Sequence, residues 1–564
     1  MLSRNQLGEL SRAMTARGFK PRRVDSPGRA WTGDLRCRTV TVTIEVHVTD
    51  WDFIKYPSIT VLAGVDRSKL LPHLGVEGNL CYFRQGDVVL DKHRPAISVE
   101  QCLEQGRSVL EKLLFEPSFR AEDLLGEFEV YWLQAGALPV LLGSIGQKPK
   151  KAAWRTTYTR LSHGAVNQHF LGDQRDEIIK LAKAFGATAE GLKTPCWLFE
   201  TNVPPAIPEA MPSTIKELFA WLKAWDRDLY RGFQDLLGSS KEYLGYKAAT
   251  FAVRTPAGWL GFGFDIDPVQ RRLAQRDVKI YRQYLHRCGA ELQFFRLSIL
   301  EVGPSFVHSR NLTHPDLRDK GITVIGCGAI GGYAAQSLVR LGAGTGTGVL
   351  RLVDPDRLLP ENLGRHVLGY PSLFLNKAEE LTRVLNVDFP LARIEPFPVS
   401  ALEWPDLFVG NLLVDATGDE AVATALNARH VLESPSIPLL HSWILGNGEA
   451  AQALWVAGGK YACYRCLQVI DSKGELQPRF RVLKEETERR QIGCHAFTPY
   501  AISAPLQAAG LITEMVVDWL KHGDPNPRFR TRLAENANAY RTKNQNVERA
   551  KACLACEHAP QQSV

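Results

Sequence analysis

A glycine-rich turn at residues 326–331 constrains the fold of this chain more than any other feature. Gly326, Gly328 and Gly331 form the pattern G-x-G-x-x-G, which follows the apolar run ITVI and precedes a helical pattern ending at Leu341. In this setting glycines bring the backbone close to a phosphate, and the helix start offers amide donors and a positive dipole end. The turn therefore predicts a Rossmann-like α/β domain that binds a nucleotide, without specifying which one.

Residues downstream of the turn narrow the nucleotide to one that carries a triphosphate. The second strand ends at Asp354, and Asn362, Arg365 and Lys377 follow. An enzyme that attacks an α-phosphate needs cations to offset the charge growing on the phosphates, which Arg365 and Lys377 provide. A nicotinamide oxidoreductase would leave both of them without a task. The set therefore favours ATP.

The cysteines predict a metal site. The chain has 11 cysteines, and Met1–Arg12 lacks the apolar core of a signal peptide, so reduced thiols are expected. Two C-x-x-C pairs, Cys463 with Cys466 and Cys553 with Cys556, can supply four thiolates to one tetrahedral Zn²⁺. A redox pair is disfavoured because no thioredoxin-like context surrounds either motif.

Length and composition indicate a multidomain globular protein. The 564 residues suggest about three or four domains. The net charge of +7, without a long basic block, gives no indication of a nucleic-acid partner. The uncharged stretch at residues 130–146 is shorter than the roughly 20 apolar residues of a membrane span. We therefore expect a cytoplasmic protein with no nucleic-acid or membrane partner.

The nucleotide motifs together resemble the ThiF/MoeB/ubiquitin-activating superfamily. Its ATP site has G-x-G-x-x-G, then D-x-D, then N-x-x-R, then a lysine at these spacings, and the resemblance covers Arg310–Cys556. It implies that Asp354 holds the ribose, Asn362 and Arg365 the phosphates, and Lys377 the triphosphate oxygens. The two C-x-x-C pairs match the zinc cysteines that flank this region in MoeB and ThiF.

Three further features follow from the same resemblance. The magnesium-associated aspartate is either Asp415 or Asp419, because the strand end reads D-A-T-G-D where the family has D-x-T-D. Members also donate an arginine from just before the nucleotide strand, often across a dimer interface, and Arg310 is the candidate. The resemblance therefore implies Mg²⁺-dependent chemistry in a homodimer.

A lone cysteine, Cys494, is a candidate nucleophile. It follows a charged linker over residues 473–490, and its position resembles the catalytic crossover cysteine of activating enzymes. A thiolate there can attack an acyl-adenylate to form a thioester, and His495 or the next helix N-terminus can lower its pKa. A buried packing cysteine is the alternative.

The N-terminal region resembles the ubiquitin-conjugating fold over Met1–Leu125. A helix and strands are followed by Tyr56-Pro57, then His73, then Gly78-Asn79-Leu80-Cys81, then Arg94-Pro95-Ala96 before a helix. The resemblance implies that Cys81 is an acceptor cysteine; a cysteine that only packs in a loop or core is the alternative. The H-P-N asparagine is missing and Arg94 replaces a tryptophan, so Asn79 or His73 is the candidate oxyanion donor.

The sequence thus predicts an α/β and α+β multidomain protein with three parts. These are a ubiquitin-conjugating-like domain (1–125), a linker or interaction domain (126–305) and a ThiF/ubiquitin-activating-like adenylation domain (306–564). This layout resembles bacterial fusion ligases of CBASS antiphage operons. It implies ATP-dependent adenylation of a protein's C-terminal carboxylate, a thioester relay from Cys494 to Cys81, and transfer to a lysine of a target protein.

The resemblance also implies a substrate. That substrate is the C-terminal tail of a cGAS-like cyclic-oligonucleotide synthase, with a bacterial ubiquitin-like protein as the other possibility. Two other classes stay open: a sulfur-carrier adenylyltransferase that does not use Cys81, and a non-catalytic scaffold built on the same fold.

Overall fold

The structure is a computed structural model. It describes residues 4–25, 27–66, 70–75, 77–134, 136–146, 153–160, 166–433, 436–492, 495–551 and 553–557. The chain divides into two compact units. The first unit comprises Met1–Val140, Ile145–Thr156 and Leu192–Leu300, and the second comprises Leu141–Ser144, Thr157–Gly191 and Glu301–Val564. The three-part division at residues 125 and 305 stays a prediction.

The N-terminal region is an antiparallel sheet, in the order β1-β2-β3-β4, with helices beside it. Its elements are α1 (Arg4–Ala16), β1 (Lys20–Arg22), β2 (Arg29–Cys37), β3 (Val40–Val48), β4 (Ser58–Ala63), α2 (Pro95–Phe115) and α3 (Pro117–Gln134).

Alternation along β3 explains how this sheet forms its core. Val42, Ile44, Val46 and Val48 are fully buried, because every second side chain of a strand points to the same face. The strands predicted in this region are confirmed.

Helix α2 covers the sheet with one apolar face. It begins at Pro95, which fits a first helical turn, and buries Val99, Leu103, Leu110 and Leu113, spaced four, seven and three residues apart. Burying each such side chain contributes about 1.5–3 kcal/mol.

The middle of the chain alternates strands and helices. The elements are β5 (Ala137–Leu142), β6 (Ala153–Arg160), β7 (Val166–Gly172), α4 (Arg175–Ala184), β8 (Ala187–Glu200), α5 (Ile215–Trp225), α6 (Arg227–Ser239), a 3₁₀ helix (Glu242–Gly245), β9 (Ala248–Thr255), β10 (Gly258–Asp265), α7 (Pro268–Ala274), α8 (Lys279–Cys288), β11 (Phe295–Glu301) and α9 (Pro304–Ser309). The division between the units passes through β5, β6, β8 and β11.

An aromatic core fills the middle part of the first unit. Trp132 at the end of α3 donates from Nε1 to the Gly261 carbonyl at 3.1 Å, which ties α3 to β10. Phe251 on β9 and Phe262 on β10 stack with ring centroids 5.5 Å apart. Thr214 caps α5, with its Oγ1 accepting the Glu217 amide.

The C-terminal region is a mixed sheet with helices on its faces. The elements are β12 (Ile322–Ile325), α10 (Ala329–Arg340), β13 (Leu350–Val353), α11 (Lys377–Asp388), β14 (Ile394–Phe397), β15 (Leu412–Asp415), α12 (Glu420–Glu433), β16 (Leu439–Leu445), β17 (Ala450–Val456), β18 (Gln468–Ile470), β19 (Leu476–Pro478), β20 (Arg490–Ile492), β21 (His495–Phe497), α13 (Ser503–His522), β22 (Phe529–Leu533) and α14 (Leu554–Glu557), with 3₁₀ helices at Pro360–Asn362, Tyr370–Ser372 and Tyr464–Leu467.

The strand order of this sheet confirms the predicted Rossmann-like fold. It reads β14-β13-β12-β15-β16-β17-β22, with parallel pairing from β14 to β16 and antiparallel pairing beyond. The chain leaves β12 toward β13 on one side, and later returns as β15 on the other. Ligands of open α/β sheets bind at such a reversal, beyond the carboxyl ends of the strands.

Helix α13 closes one face of this sheet. Ala508, Ile512 and Met515 are buried in the same core as Ala334 and Leu338 of α10. In the part of the chain that the structure describes, no helix combines the length and apolarity needed to cross a bilayer.

Candidate nucleotide site and thiol centres

The glycine-rich turn after β12 is sterically restricted to glycine at two positions. Gly326 has φ +83°, and a Cβ there would lie 2.9 Å from the Thr417 Cα. A Cβ on Gly331 would lie 1.7 Å from the Gly326 carbonyl oxygen, whereas at Gly328 it would meet open space. The turn therefore folds tightly onto the first turn of α10 and leaves the surface beside Gly328 open to a ligand.

Asp354, at the carboxyl end of β13, is locked across this turn. Its Oδ2 accepts the Cys327 amide at 2.7 Å and its Oδ1 accepts the Asp356 amide at 2.8 Å. Burial raises the pKa of its carboxyl group, opposed by those hydrogen bonds and by the charge of Lys377. Each carboxylate oxygen keeps a second lone pair, which suits hydrogen bonding from a ribose hydroxyl.

Lys377 is held at the start of α11 and lines a cavity beyond the carboxyl ends of the strands, which is described below. Asn376 caps the helix, and its Nδ2 also donates to the backbone oxygens of Asp354 and Asp356. The Lys377 side chain is 11% exposed, with Nζ 3.0 Å from Asp356 Oδ2. A triphosphate can replace this single carboxylate as its partner.

The geometry separates the two candidate magnesium aspartates. Asp415 is 2% exposed; its Oδ2 lies 2.7 Å from His441 Nδ1, and its Oδ1 accepts Thr417 Oγ1 at 2.7 Å. Asp419 is exposed, lines the cavity, and uses Oδ1 to cap the start of α12 by accepting the Val422 amide at 2.9 Å. Only Asp419 of this pair presents a carboxylate to solvent.

A cavity of about 1000 Å³ lies beyond the carboxyl ends of these strands. It brings together the predicted residues Gly326, Gly328, Asp354, Lys377 and Asp419.

Besides Gly331 and Asp415, three predicted residues are not among those that line the cavity. Asn362 folds back to accept the Leu359 amide at 3.0 Å, and Arg310 lies over the ring of Phe306 at 5.8 Å. The Arg365 guanidinium lies over the ring of Tyr500 at 5.1 Å, and Tyr500 itself lines the cavity.

The four cysteines of the two C-x-x-C pairs converge in a buried cluster. All four Sγ atoms lie within 4.8 Å of one another. Cys463 Sγ is 3.8 Å from both Cys466 Sγ and Cys553 Sγ, and Cys466 Sγ is 3.7 Å from Cys556 Sγ. Zn–S bonds of about 2.3 Å in a tetrahedron place the sulfurs about 3.8 Å apart. The cluster therefore fits Zn²⁺, and the Ala550 amide donates to Cys466 Sγ at 3.4 Å.

Cys81 is exposed beside a histidine loop. Its amide donates to the His73 carbonyl at 2.7 Å, and its thiol lies 3.8 Å from the Phe83 carbonyl oxygen. Burial and the negative charge of Glu127 raise the pKa of the Cys81 thiol, and Arg84 opposes them. Cys494, the other predicted nucleophile, lies outside the described residues.

Two protein-family models match separate regions of this chain. One described as the ThiF family matches residues 307–556, and one described as Prokaryotic E2 family B matches residues 8–138. The chain is 30% identical over 493 residues to an ATP-dependent ubiquitin transferase-like protein Cap2 of Pseudomonas aeruginosa, covering 86% of each chain. The chain belongs to the Cap2 family.

Two further similarities have lower identity. The Cap2 protein of Vibrio cholerae is 26% identical over 497 residues, which is 81% of this chain and 82% of that protein. A crystal structure of E. coli MccB with MccA is 18% identical, with a TM-score of 0.32, over 43% of this chain and 67% of that one.

Cap2 membership establishes the general activity. The chain is an ATP-dependent enzyme that joins a ThiF-type adenylating region to a conjugating-type region, as its motifs predicted.

The acidic face of α3 in this Cap2-family protein, which contacts His73, was not predicted from the sequence. His73 has Nε2 2.9 Å from Asp123 Oδ2 and Nδ1 3.1 Å from Glu127 Oε1, while Tyr131 donates to Glu127 Oε2 at 3.3 Å. The signal was there, because Asp123, Glu127 and Tyr131 are spaced by four residues on one helix face.

The two candidate oxyanion donors differ in how free they are. Both ring nitrogens of His73 already face carboxylates. Asn79 Oδ1 accepts Thr60 Oγ1 at 3.0 Å, which orients the side-chain amide and leaves its NH₂ as the donating end. This arrangement favours Asn79 over His73.

Proposed function

We propose that this Cap2-family enzyme adenylates the C-terminal carboxylate of a protein tail, transfers the acyl group to Cys494 and then to Cys81, and attaches it to a lysine of a target protein. We further propose that the tail belongs to a cGAS-like cyclic-oligonucleotide synthase of a CBASS operon. The supporting observation is an exposed cysteine, Cys81, in a conjugating-type region of the same chain that holds an ATP-type cradle.

The cradle residues suit the first step. A carboxylate oxygen of the tail bonds to the α-phosphorus of ATP while the bond to pyrophosphate breaks, which yields an acyl-adenylate. We assign the ribose to Asp354, the phosphates to Lys377 and Arg365, and Mg²⁺ to Asp419; Mg²⁺, when bound, offsets phosphate charge. We also propose that Arg310, which does not line this cavity, reaches the phosphates across a homodimer interface, and that Asn362 contacts the phosphates once its side chain is released from the Leu359 amide.

The thiols carry the next steps. A Cys494 thiolate bonds to the acyl carbon and AMP leaves, the Cys81 thiolate displaces Cys494, and a lysine amine displaces Cys81 with loss of one amine proton. We assign Asn79 to the oxyanion of the last step, because its NH₂ is oriented by Thr60.

The cavity is larger than a nucleotide alone requires. Beyond the phosphate cradle its lining includes the apolar side chains of Trp443, Phe480, Leu483 and Phe529. Pockets for small ligands usually span about 300–1000 Å³, so this apolar part has room for the last residues of a tail. The zinc cysteines pack in one cluster with Leu454 and Phe529. Because Phe529 also lines the cavity, we assign Zn²⁺ the role of holding the apolar side of the cavity in place.

Non-reducing gels of four proteins test this proposal. The unaltered chain, Cys81→Ala, Cys494→Ala and the control Cys288→Ala are incubated with Mg-ATP and a cGAS-like cyclic-oligonucleotide synthase. The relay predicts thiol-sensitive adducts on the unaltered and control chains, none without Cys494, and accumulation on Cys494 without Cys81.

Other outcomes would redirect the proposal. Adducts that ignore both cysteines would contradict the relay. Acyl-adenylate formation without transfer to an amine would instead favour a sulfur-carrier adenylyltransferase. Replacing the synthase with a bacterial ubiquitin-like protein in the same assay separates the two candidate tails.

A further inference from the structure

The first unit holds a second cavity, between α6 and α8, that the adenylation and thioester steps do not use. Its volume is about 640 Å³, and its lining residues are Tyr230, Gln234, Arg282, Gln283, His286 and Arg287. Every one of these side chains carries an N–H or O–H donor, and none is a carboxylate. The lining therefore suits a ligand that is rich in acceptor oxygens and negatively charged.

One donor in this cavity is buried without a partner. Gln234 is 9% exposed, and its Oε1 lies 2.8 Å from His286 Nε2. Its Nε2 has no hydrogen-bond partner among the described residues. An unsatisfied buried amide costs about 1–3 kcal/mol, which a ligand oxygen at this position would remove.

The charge around this amide is positive. Arg282 Nη1 donates to the Gln234 carbonyl at 3.3 Å, so its other donors are available to a ligand. Arg287 is exposed and has no carboxylate within ion-pair distance in the described part of the chain. Burial and the charge of Arg282 lower the pKa of His286, whose Nε2 faces Gln234 Oε1.

Gly238 makes room for the arginine. A Cβ at this position of α6 would lie 2.5 Å from Arg282 Nη1. Gly238 is the second-to-last residue of α6, and its missing side chain leaves space for a guanidinium laid across the helix.

We propose that this cavity binds a small molecule bearing phosphate or carboxylate groups, and that the middle of the chain therefore has a ligand-binding role of its own. Arg282 and Arg287 supply the positive charge, and the orphan amide of Gln234 fixes one oxygen. The cavity size matches a small ligand and exceeds that of a single ion. None of these residues belongs to the thioester relay, so the inference stands independently of it.

Hydrogen–deuterium exchange of the full chain tests the proposal with inorganic phosphate as the probe, against chloride at the same ionic strength. Peptides from α6 and α8 report this cavity, while peptides from α10 report the nucleotide site separately. At a phosphate concentration about ten times Kd, exchange in α6 and α8 should slow by roughly tenfold.

Two variants and one control decide the result. Arg282→Gln removes the charge, and Gly238→Ala displaces the guanidinium while favouring the helix; both should abolish the protection. The control Lys279→Gln removes one exposed positive charge from α8, the helix that carries Arg282, and should keep the protection by phosphate.

A citrate arm identifies the source of the oxyanion. Equal or greater protection by citrate points to carboxylates, and protection by phosphate alone points to a phosphorylated ligand. No protection by either anion, or equal protection in the Arg282→Gln and Gly238→Ala proteins, would overturn the proposal.

Discussion

Asp415 and His441 form a buried pair in which Oδ2 and Nδ1 are 2.7 Å apart, with side chains 3% and 1% exposed. Asp415 ends β15 and His441 lies on β16, and the two residues are register partners in the parallel pairing of these strands. The strand-end aspartate is therefore committed to the sheet, which leaves the exposed Asp419 as the member of the candidate magnesium pair that faces the cavity.

Replacing these aspartates should have different consequences. Asp419→Asn should lower the rate of ATP–pyrophosphate exchange by about 100-fold and raise the Mg²⁺ requirement, because it removes an anion from the phosphate site. Asp415→Asn should lower the free energy of unfolding by roughly 1–3 kcal/mol, since a buried charged hydrogen bond is lost. ATP–pyrophosphate exchange assays and urea unfolding of both proteins measure these two effects. If Asp415→Asn lowers the exchange rate and Asp419→Asn lowers the free energy of unfolding, the magnesium role belongs to Asp415.

The glycines of the turn offer a matched pair. Gly331→Ala should abolish ATP binding, because a Cβ 1.7 Å from the Gly326 carbonyl oxygen forces the turn apart. Gly328→Ala meets open space and should change Kd for ATP by less than about tenfold. Calorimetric titration with ATP compares them, and similar losses in both proteins would contradict this account of the turn.

The sulfur cluster should contain one zinc per chain. Cys553→Ser should lose the metal and lower Tm, because binding a structural Zn²⁺ contributes directly to folding. The control Cys288→Ser, which lies outside the cluster, should keep both the bound metal and the Tm of the unaltered chain. Metal analysis of the purified proteins together with thermal unfolding tests this, and a metal-free unaltered chain with an unchanged Tm would remove the zinc assignment.

The contacts of His73 with Asp123 and Glu127, here called the His73 clamp, should make the free energy of unfolding depend on pH. Hydrogen bonds and charges from Glu127 and Asp123 raise the pKa of His73, although burial opposes them. The stabilisation is therefore complete below about pH 6.5, the unfolded value, and is lost as pH rises through the folded pKa. Tyr131 and the ring of Phe119 also face this group but do not titrate in that range.

Urea unfolding at pH 6 and pH 8.5 measures the clamp. The unaltered chain should lose roughly 1 kcal/mol between these values through His73, and His73→Gln should lose that part of the dependence. Identical pH dependence in both proteins would show that the clamp contributes nothing.

Asn79 should matter for acyl transfer. Asn79→Ala should slow the reaction of a charged Cys81 thioester with lysine by about 100-fold, because one oxyanion donor is lost. The rate of loading Cys81 should change less. His73→Ala should affect Tm more than the transfer rate, since both its nitrogens face carboxylates. Single-turnover assays of the two proteins separate the roles, and an unaltered rate in Asn79→Ala would remove the assignment.

Local patterns predicted the parts of the fold that depend on neighbours in sequence. The apolar run before Gly326 and the alternation of residues 40–48 each specify an element through a short period, so both were predictable. Likewise, C-x-x-C spacing places two thiolates on one turn whatever the rest of the chain does.

Long-range packing explains what the sequence did not reveal. His73 meets Glu127 across 54 residues, and Arg282 meets the Gln234 carbonyl across 48, so neither pairing has a local signature. The proposed assignment of Mg²⁺ to Asp419 instead of Asp415 depends on the side chain of His441, which belongs to the next strand of the sheet. Arg365 likewise gained its aromatic neighbour, Tyr500, only on folding.

Helix α3 is fastened at two points within the first unit, near its middle to His73 through Asp123 and Glu127, and near its C-terminal end to the Gly261 carbonyl through Trp132. Its 18 residues make a rod about 27 Å long. A close-packed rod transmits a push with little compliance, so a shift of β10 is felt at the loop that holds the Cys81 amide. The position of Cys81, the proposed acceptor cysteine, is therefore linked through α3 to β10 of the same unit.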